Sequence, residues 1–174
     1  MVKENRMEGT TMKYFTKSWH EGKYSEERIE RIRDSYWKHL ETIQSRLPES
    51  VLFIAKNLDL HDSLFRKITY DSRNKLLFMG LRCGDSKSGY FDFDLEYGNV
   101  VIAEHSLNVL NKSIQNPRTE ILYDEIDVQK KMSVHRFLLW PYQEFEIVFS
   151  QLSYVRRPAL DRKVNENGER FIAL

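Results

Sequence analysis

Cysteine is nearly absent from this sequence: Cys83 is the only one. No internal disulfide can form, which excludes a disulfide-stapled secreted domain and a cysteine-rich zinc module, and makes a reducing cytoplasm the expected home. Glycine and proline are sparse, at 7 and 4 residues in 174. They punctuate turns but build no flexible linker, and without repeats or low-complexity segments a second domain is not expected. Long apolar runs are missing. Nothing approaches the roughly 18 to 20 continuous apolar residues that span a bilayer, and residues 1–11 lack the hydrophobic segment of a secretory signal, so no membrane partner is expected. Charge of one sign is missing too. The 27 basic and 26 acidic side chains leave a net +1, which argues against wholesale capture of nucleic acid or anionic membrane.

What is present is a chain of single-domain length that is 41% hydrophobic, with 3 Trp, 9 Tyr and 10 Phe. A chain of this length buries roughly 70% of its unfolded surface, so a real core is available. Thr16 and Ser25 have the character of helix N-caps, and the second opens a helix from about Glu26 to Arg46, stopped by Pro48. Ile29, Ile32, Tyr36, Leu40, Ile43 and Leu47 fall within an arc of about 60° on it. The apolar segment from Ser50 to Lys56 reads as a second helix folded against the first. From Ser63 the period changes to two, giving strands over Phe65 to Tyr70, Lys75 to Arg82 and Tyr90 to Tyr97. A Gly-bounded connection from Cys83 to Gly89 separates the last two. Glu104 to Arg118 reads as a loop or a short-lived helix. Ile121 to Val128, His135 to Trp140 and Glu144 to Val155 are further strands, the last two joined by a turn at Trp140 to Gln143. Helices first and strands afterwards predict an α+β domain, with N-terminal helices on one face of a mostly antiparallel sheet of about five to seven strands. The expected division is a polar extension over 1–11, one domain over 12–155 and a charged, mobile tail over 156–174, where Phe171 to Leu174 could dock on a sheet edge.

Several residues invite a chemical reading. Asp92, Asp94 and Glu96 alternate along one strand, which places three carboxylates on one face about 7 Å apart in successive pairs. Such a trio could hold a hard cation, or supply acid and base; cross-strand pairing with Arg66 would explain it without chemistry. Glu144 and Glu146 form a similar pair, for which Arg136 is the corresponding partner. His61 and Asp62 resemble the metal-binding dipeptide of phosphohydrolases, yet they sit before a strand rather than on a helix, and no second histidine has ligand spacing. Arg82-Cys83-Gly84-Asp85 is the nearest thing to a nucleophile setting, against which stands the habit of a lone Cys to end a buried strand. No phosphate loop, nucleophile elbow or zinc-helix motif occurs, and no cofactor is expected. Basic pairs at Lys130-Lys131, Arg156-Arg157 and Arg162-Lys163, with Tyr154 and Phe171 as stacking faces, are the only features directed at RNA, and nucleic acid is not expected as the main partner.

Short stretches are similar to a known group: Tyr14 to Trp19, Leu60-His61-Asp62, Leu81 to Asp85 leading into Gly89 to Asp92, and His135-Arg136-Phe137 through Phe145 to Phe149. On these the chain resembles an uncharacterised family of bacterial cytoplasmic proteins common in Bacillus-type Firmicutes, over most of residues 12–155. The resemblance implies a bacterial intracellular protein and brings no established activity. It makes small α+β immunity and regulatory proteins a comparison class, by analogy. The leading functional expectation is a non-catalytic protein-binding domain, immunity-like or regulatory, using Asp92, Asp94, Glu96 and Arg82 and exposed aromatics as its contact surface. The alternatives are a small metal-assisted hydrolase built on His61, Asp62 and Asp85 with Asp92 and Asp94, and an RNA binder using the basic tail.

Overall fold

A computed structural model describes residues 11–164; the expectations for residues 1–10 and for the apolar ending 171–174 lie outside the described residues. Thr16 caps α1 (Lys17–His20), and Ser25 caps α2 (Glu26–Ile43) by accepting from the Arg28 amide. Each hydroxyl satisfies an amide that the helix cannot. On α2, Tyr36, Leu40 and Ile43 are buried. A short turn at Gln44–Arg46 leads through buried Leu47 to α3 (Glu49–Asn57), with Pro48 at its cap position.

Seven strands follow: β1 (Ser63–Asp71), β2 (Leu76–Asp85), β3 (Gly89–Gly98), β4 (Glu120–Gln129), β5 (Met132–Trp140), β6 (Gln143–Phe149) and β7 (Gln151–Ala159). They form one antiparallel sheet in the order β6-β5-β4-β1-β2-β3-β7. This is the α+β architecture that the pattern predicts. Phe93, Leu95 and Tyr97 of β3 and Leu77, Met79 and Leu81 of β2 are fully buried and meet Val51 and Ile54 of α3 in the main core. A second, smaller core joins Met12, Phe15, Tyr36, Leu122 and Leu138.

Three elements differ from the sequence pattern. The stretch Glu144 to Val155 is two strands broken at Ser150, whose amide donates to the Gly98 carbonyl, and the second strand runs on to Ala159, so residues 156–159 pair with β3 and are not part of a mobile tail. Since β6 and β7 are the two edges of the sheet and only Ser150 separates them, the sheet curls until its edges meet. Alternation continues through such a corner, so periodicity hides it. Residues Glu104–Gln115 form the helix α4, with Ser106, Val109, Leu110 and Ile114 buried, packed on β6 and β1; its polar residues face outward and obscure the stripe. The connection after Cys83 is shorter than its composition implies, because β2 continues to Asp85. Gly84 allows this: its φ is +94°, and a Cβ there would lie 2.1 Å from the Gly89 carbonyl oxygen.

β1 and β4 pair only at Ser63 with Ile121 and Leu64 with Glu120. Beyond these two pairs the sheet is open, and the connection from α3 to β1 passes beside the opening. No helix among the described residues is long and apolar enough to cross a membrane.

Candidate functional site

The connection from Leu58 to Asp62 is fixed by its own chemistry. Leu60 is 1% exposed and anchors in the core, so its neighbours Asp59 and His61 turn outward on either side. The Asp59 carboxylate accepts from the His61 amide at 2.9 Å, and the Asp62 amide donates to the Ile121 carbonyl at 2.8 Å. Asp62 itself has φ +60°, a left-handed conformation that Asp tolerates better than most residues.

Two cavities adjoin this connection and share Asn57, Leu58, Asp59 and His61. The larger, about 420 Å³, is walled by Phe15, Tyr36, Trp37 and Tyr123 and reaches Lys56 and Asp124. The smaller, about 270 Å³, extends to Asp62, Gly84, Asp85, Ser88, Phe91 and Arg156. The structure therefore brings together the sequence-predicted His61, Asp62 and Asp85. The His61 Nδ1–H donates to the Leu122 carbonyl, which can only accept, so in the neutral ring Nε2 keeps its lone pair; it lies 3.4 Å from Asp62 Oδ1. The His61 ring stacks on Tyr123 at 5.2 Å between centroids. Burial, then the charges of Asp59 and Asp62, push the Tyr123 phenol up. Asp85 accepts from the Ser88 and Lys87 amides and the Ser88 hydroxyl, bonds that hold its carboxyl below the usual range. The Arg156 guanidinium lies over the Phe91 ring at 4.0 Å.

Asp124 opens onto a polar chain in the interior. Its Oδ2 receives a hydrogen bond from His135 Nε2 at 2.9 Å, and His135 Nδ1 meets the Tyr97 hydroxyl at 2.9 Å. His135 and Tyr97 are completely buried, and burial, then the Asp124 charge, raises the Tyr97 phenol well above its ordinary value. Tyr97 thus keeps its proton and can donate it to Nδ1, which leaves Nε2–H of His135 to donate to the Asp124 carboxylate. Every polar atom of the ring is satisfied, and one carboxylate oxygen of Asp124 is pinned from within.

The acids of β3 are placed differently. Arg66 Nε lies 2.9 Å from Asp92 and its NH1 group 3.5 Å from Asp94; Arg82 Nε donates to Asp92 at 2.6 Å, and Arg157 pairs with Asp94. Cross-strand pairing therefore occupies Asp92 and Asp94 on the outer face of the sheet, and Glu96 is exposed beside them. Arg82 also donates to the Asp161 and Lys163 carbonyls, tying down the chain after β7. Phe91, Phe93, Leu95 and Tyr97 point to the opposite face, so the His61 cavities and the Asp92 face are on different sides of the strand. Among the described residues no group of three or more His, Cys, Asp and Glu is arranged to hold a metal ion. Cys83 is 1% exposed, and burial pushes its thiol up to about 12, the state of an inert core residue rather than a nucleophile.

A second charged network lies under the N-terminal segment. The Glu125 carboxylate accepts from the amides of Lys13, Tyr14 and Phe15, and that of Glu144 from Thr11 and Met12. Burial pushes Glu125 up against the pull of those amides. Asp127 meets Lys13, His39 at 2.9 Å and Arg136 at 2.9 Å, and Arg136 reaches Glu146 at 3.2 Å. Burial pushes Asp127 up, but the Lys13, Val128, His39 and Arg136 hydrogen bonds together outweigh it and hold its carboxyl well below the usual range. This network holds Phe15 in place as a wall of the larger cavity.

Pattern reasoning missed Asp124, His135, Glu125 and Asp127 as structural groups. The signal was there in β4, where Asp124, Glu125 and Asp127 place acids on both faces of a strand that is otherwise apolar. The adjacent His135 and Arg136 on the next strand supply one partner to each face. No family model, curated protein or solved structure matches the chain.

Proposed function

We propose that this chain is a non-catalytic binding domain that grips a partner protein at the paired cavities around His61. The observation that carries this reading is a contrast in charge. Four carboxylates, Asp59, Asp62, Asp85 and Asp124, line the cavities with two basic side chains, Lys56 and Arg156, with Lys87 near Asp85 and Arg162 on the Asp62 carbonyl, whereas Asp92 and Asp94 are directly bridged by three arginines of their own sheet. A partner with basic groups gains most where the charge is not already cancelled. Exposed Trp37 at the cavity wall adds a large apolar anchor of the kind that dominates interfaces. An immunity-type or regulatory role in a bacterial cytoplasm is the setting we propose for it.

A hydrolytic reading has one observation on its side, the convergence of His61, Asp62 and Asp85 on one cavity. Its metal-assisted form, which needs Asp92 and Asp94 beside His61, is opposed by the placement of those acids on the other side of the strand.

The test is affinity capture from native lysate with the wild type and with Asp59→Asn, Asp62→Asn and Asp85→Asn combined. Asn keeps the turn acceptors at all three positions and tolerates the left-handed backbone of position 62, so the melting temperature should hold. A stoichiometric partner is expected on the wild type and at least tenfold less of it on the variant. Equal retention by both, or no partner on the wild type, would overturn the reading.

A further inference from the structure

We propose that the larger cavity binds an alkylammonium group, with Asp124 as its counter-ion and the aromatic walls around the attached chain. The proposal rests on the reading that this cleft is the contact site, and names the chemistry that fills it.

Four aromatic residues, Phe15, Tyr36, Trp37 and Tyr123, wall a space of about 420 Å³, within the range of small-ligand sites. Aromatic faces attract cations as well as alkyl chains. Asp124 gives the cavity its directional group, with a side chain 19% exposed. The interior fixes its orientation: His135 Nε2 donates to Oδ2 at 2.9 Å, and the Tyr97 hydroxyl meets the other ring nitrogen. Asp59 adds a second negative charge, while the lining residue Lys56 has its ammonium turned to Gln44 Oε1 at 2.8 Å.

The same geometry selects among cations. With one acceptor site of Oδ2 already taken by His135, Asp124 is less free to receive the two parallel hydrogen bonds through which a guanidinium grips a carboxylate. A compact ammonium needs only one oxygen. A lysine-type group should therefore bind better than an arginine-type group.

The test is a titration of the full chain, followed by amide NMR shifts, with N-acetyl-lysine methylamide, its arginine counterpart, its neutral norleucine counterpart and free n-butylamine. The lysine compound should shift amides at 55–61 and 122–124 with an affinity at least tenfold above norleucine and severalfold above arginine. Comparable binding of n-butylamine would assign the site to a free amine, and binding of the peptide form alone to a lysine side chain of a partner; both support an ammonium site. Asp124→Asn keeps an acceptor for His135 and should lose at least tenfold in affinity. Should that variant fold poorly, Trp37→Ala, at an exposed position, should still weaken binding severalfold. Equal affinity for norleucine, shifts elsewhere on the protein, or full binding by both variants would overturn the proposal. If the lysine compound fails while partner capture still depends on Asp59, Asp62 and Asp85, the ammonium assignment falls and the binding reading stands.

Discussion

Glu125→Ala is expected to cost about 3–5 kcal/mol of folding free energy, among the largest losses any single substitution in this chain would cause. Glu125 is 1% exposed, and its Oε1 takes the Tyr14 and Phe15 amides while Oε2 takes that of Lys13. Alanine strands three donors at once, and a buried donor without a partner costs roughly 1–3 kcal/mol. It also loosens Met12 and Phe15 from Tyr36, Leu122 and Leu138. Glu125→Gln keeps one oxygen acceptor but turns an amide NH2 toward a backbone N–H, so about 1–2 kcal/mol is expected. Urea unfolding of the three proteins at pH 7 measures both values. A loss below about 1 kcal/mol for alanine would show that the N-terminal segment is not held in this way.

Arg136→Ala should cost about 3–5 kcal/mol, because it breaks a buried ion pair and leaves the Asp127 carboxylate with Lys13 and His39 alone. Arg136 is 7% exposed and Asp127 4%, and the same guanidinium also holds Glu146. The loss has a pH signature. Asp127 is depressed in the folded state, so its contribution is complete above the unfolded value of about 3.9 and drains away as pH falls below it. Removing Arg136 raises Asp127 toward its ordinary value and flattens that acid limb, although Lys13 and His39 still hold part of it. Urea midpoints at pH 7 and near pH 3 should therefore differ less in the variant than in the wild type. A deficit that stays constant between the two pH values would assign the role of Arg136 to packing alone.

Much of the architecture can be read from periodicity, and the parts that cannot share one cause. α2 and β3 each have one wet face and one dry face, so their patterns are unambiguous. β6 and β7 have continuous alternation, and the corner at Ser150 depends on the distant Gly98 carbonyl, which no local window contains. α4 is short and polar at its start, and its stripe acquires meaning only against β6 and β1. The site follows the same rule. His61, Asp62 and Asp85 can be named from the chain because each stands at a turn, where polar residues attract notice. Their meeting in one cavity depends on the Leu60 anchor and the tight turn after Gly84. The pairing of Asp92 with Arg66 can be foreseen from alternating strands. Asp124 escapes notice because its neighbour Glu125 points the other way, and only the sheet register assigns His135 to one and the N-terminal amides to the other.

A partner held at the His61 cavities would shield their walls, which hydroxyl-radical footprinting of the chain alone and with its captured partner reads out. Protection of Trp37, Tyr123 and Phe91 is the predicted result, with Phe78 and Val155 on the outer sheet face unchanged. Protection of Phe78 and Val155, with Trp37 and Tyr123 as reactive as before, would place the contact on the arginine-matched face of β3 and rule out the His61 cavities.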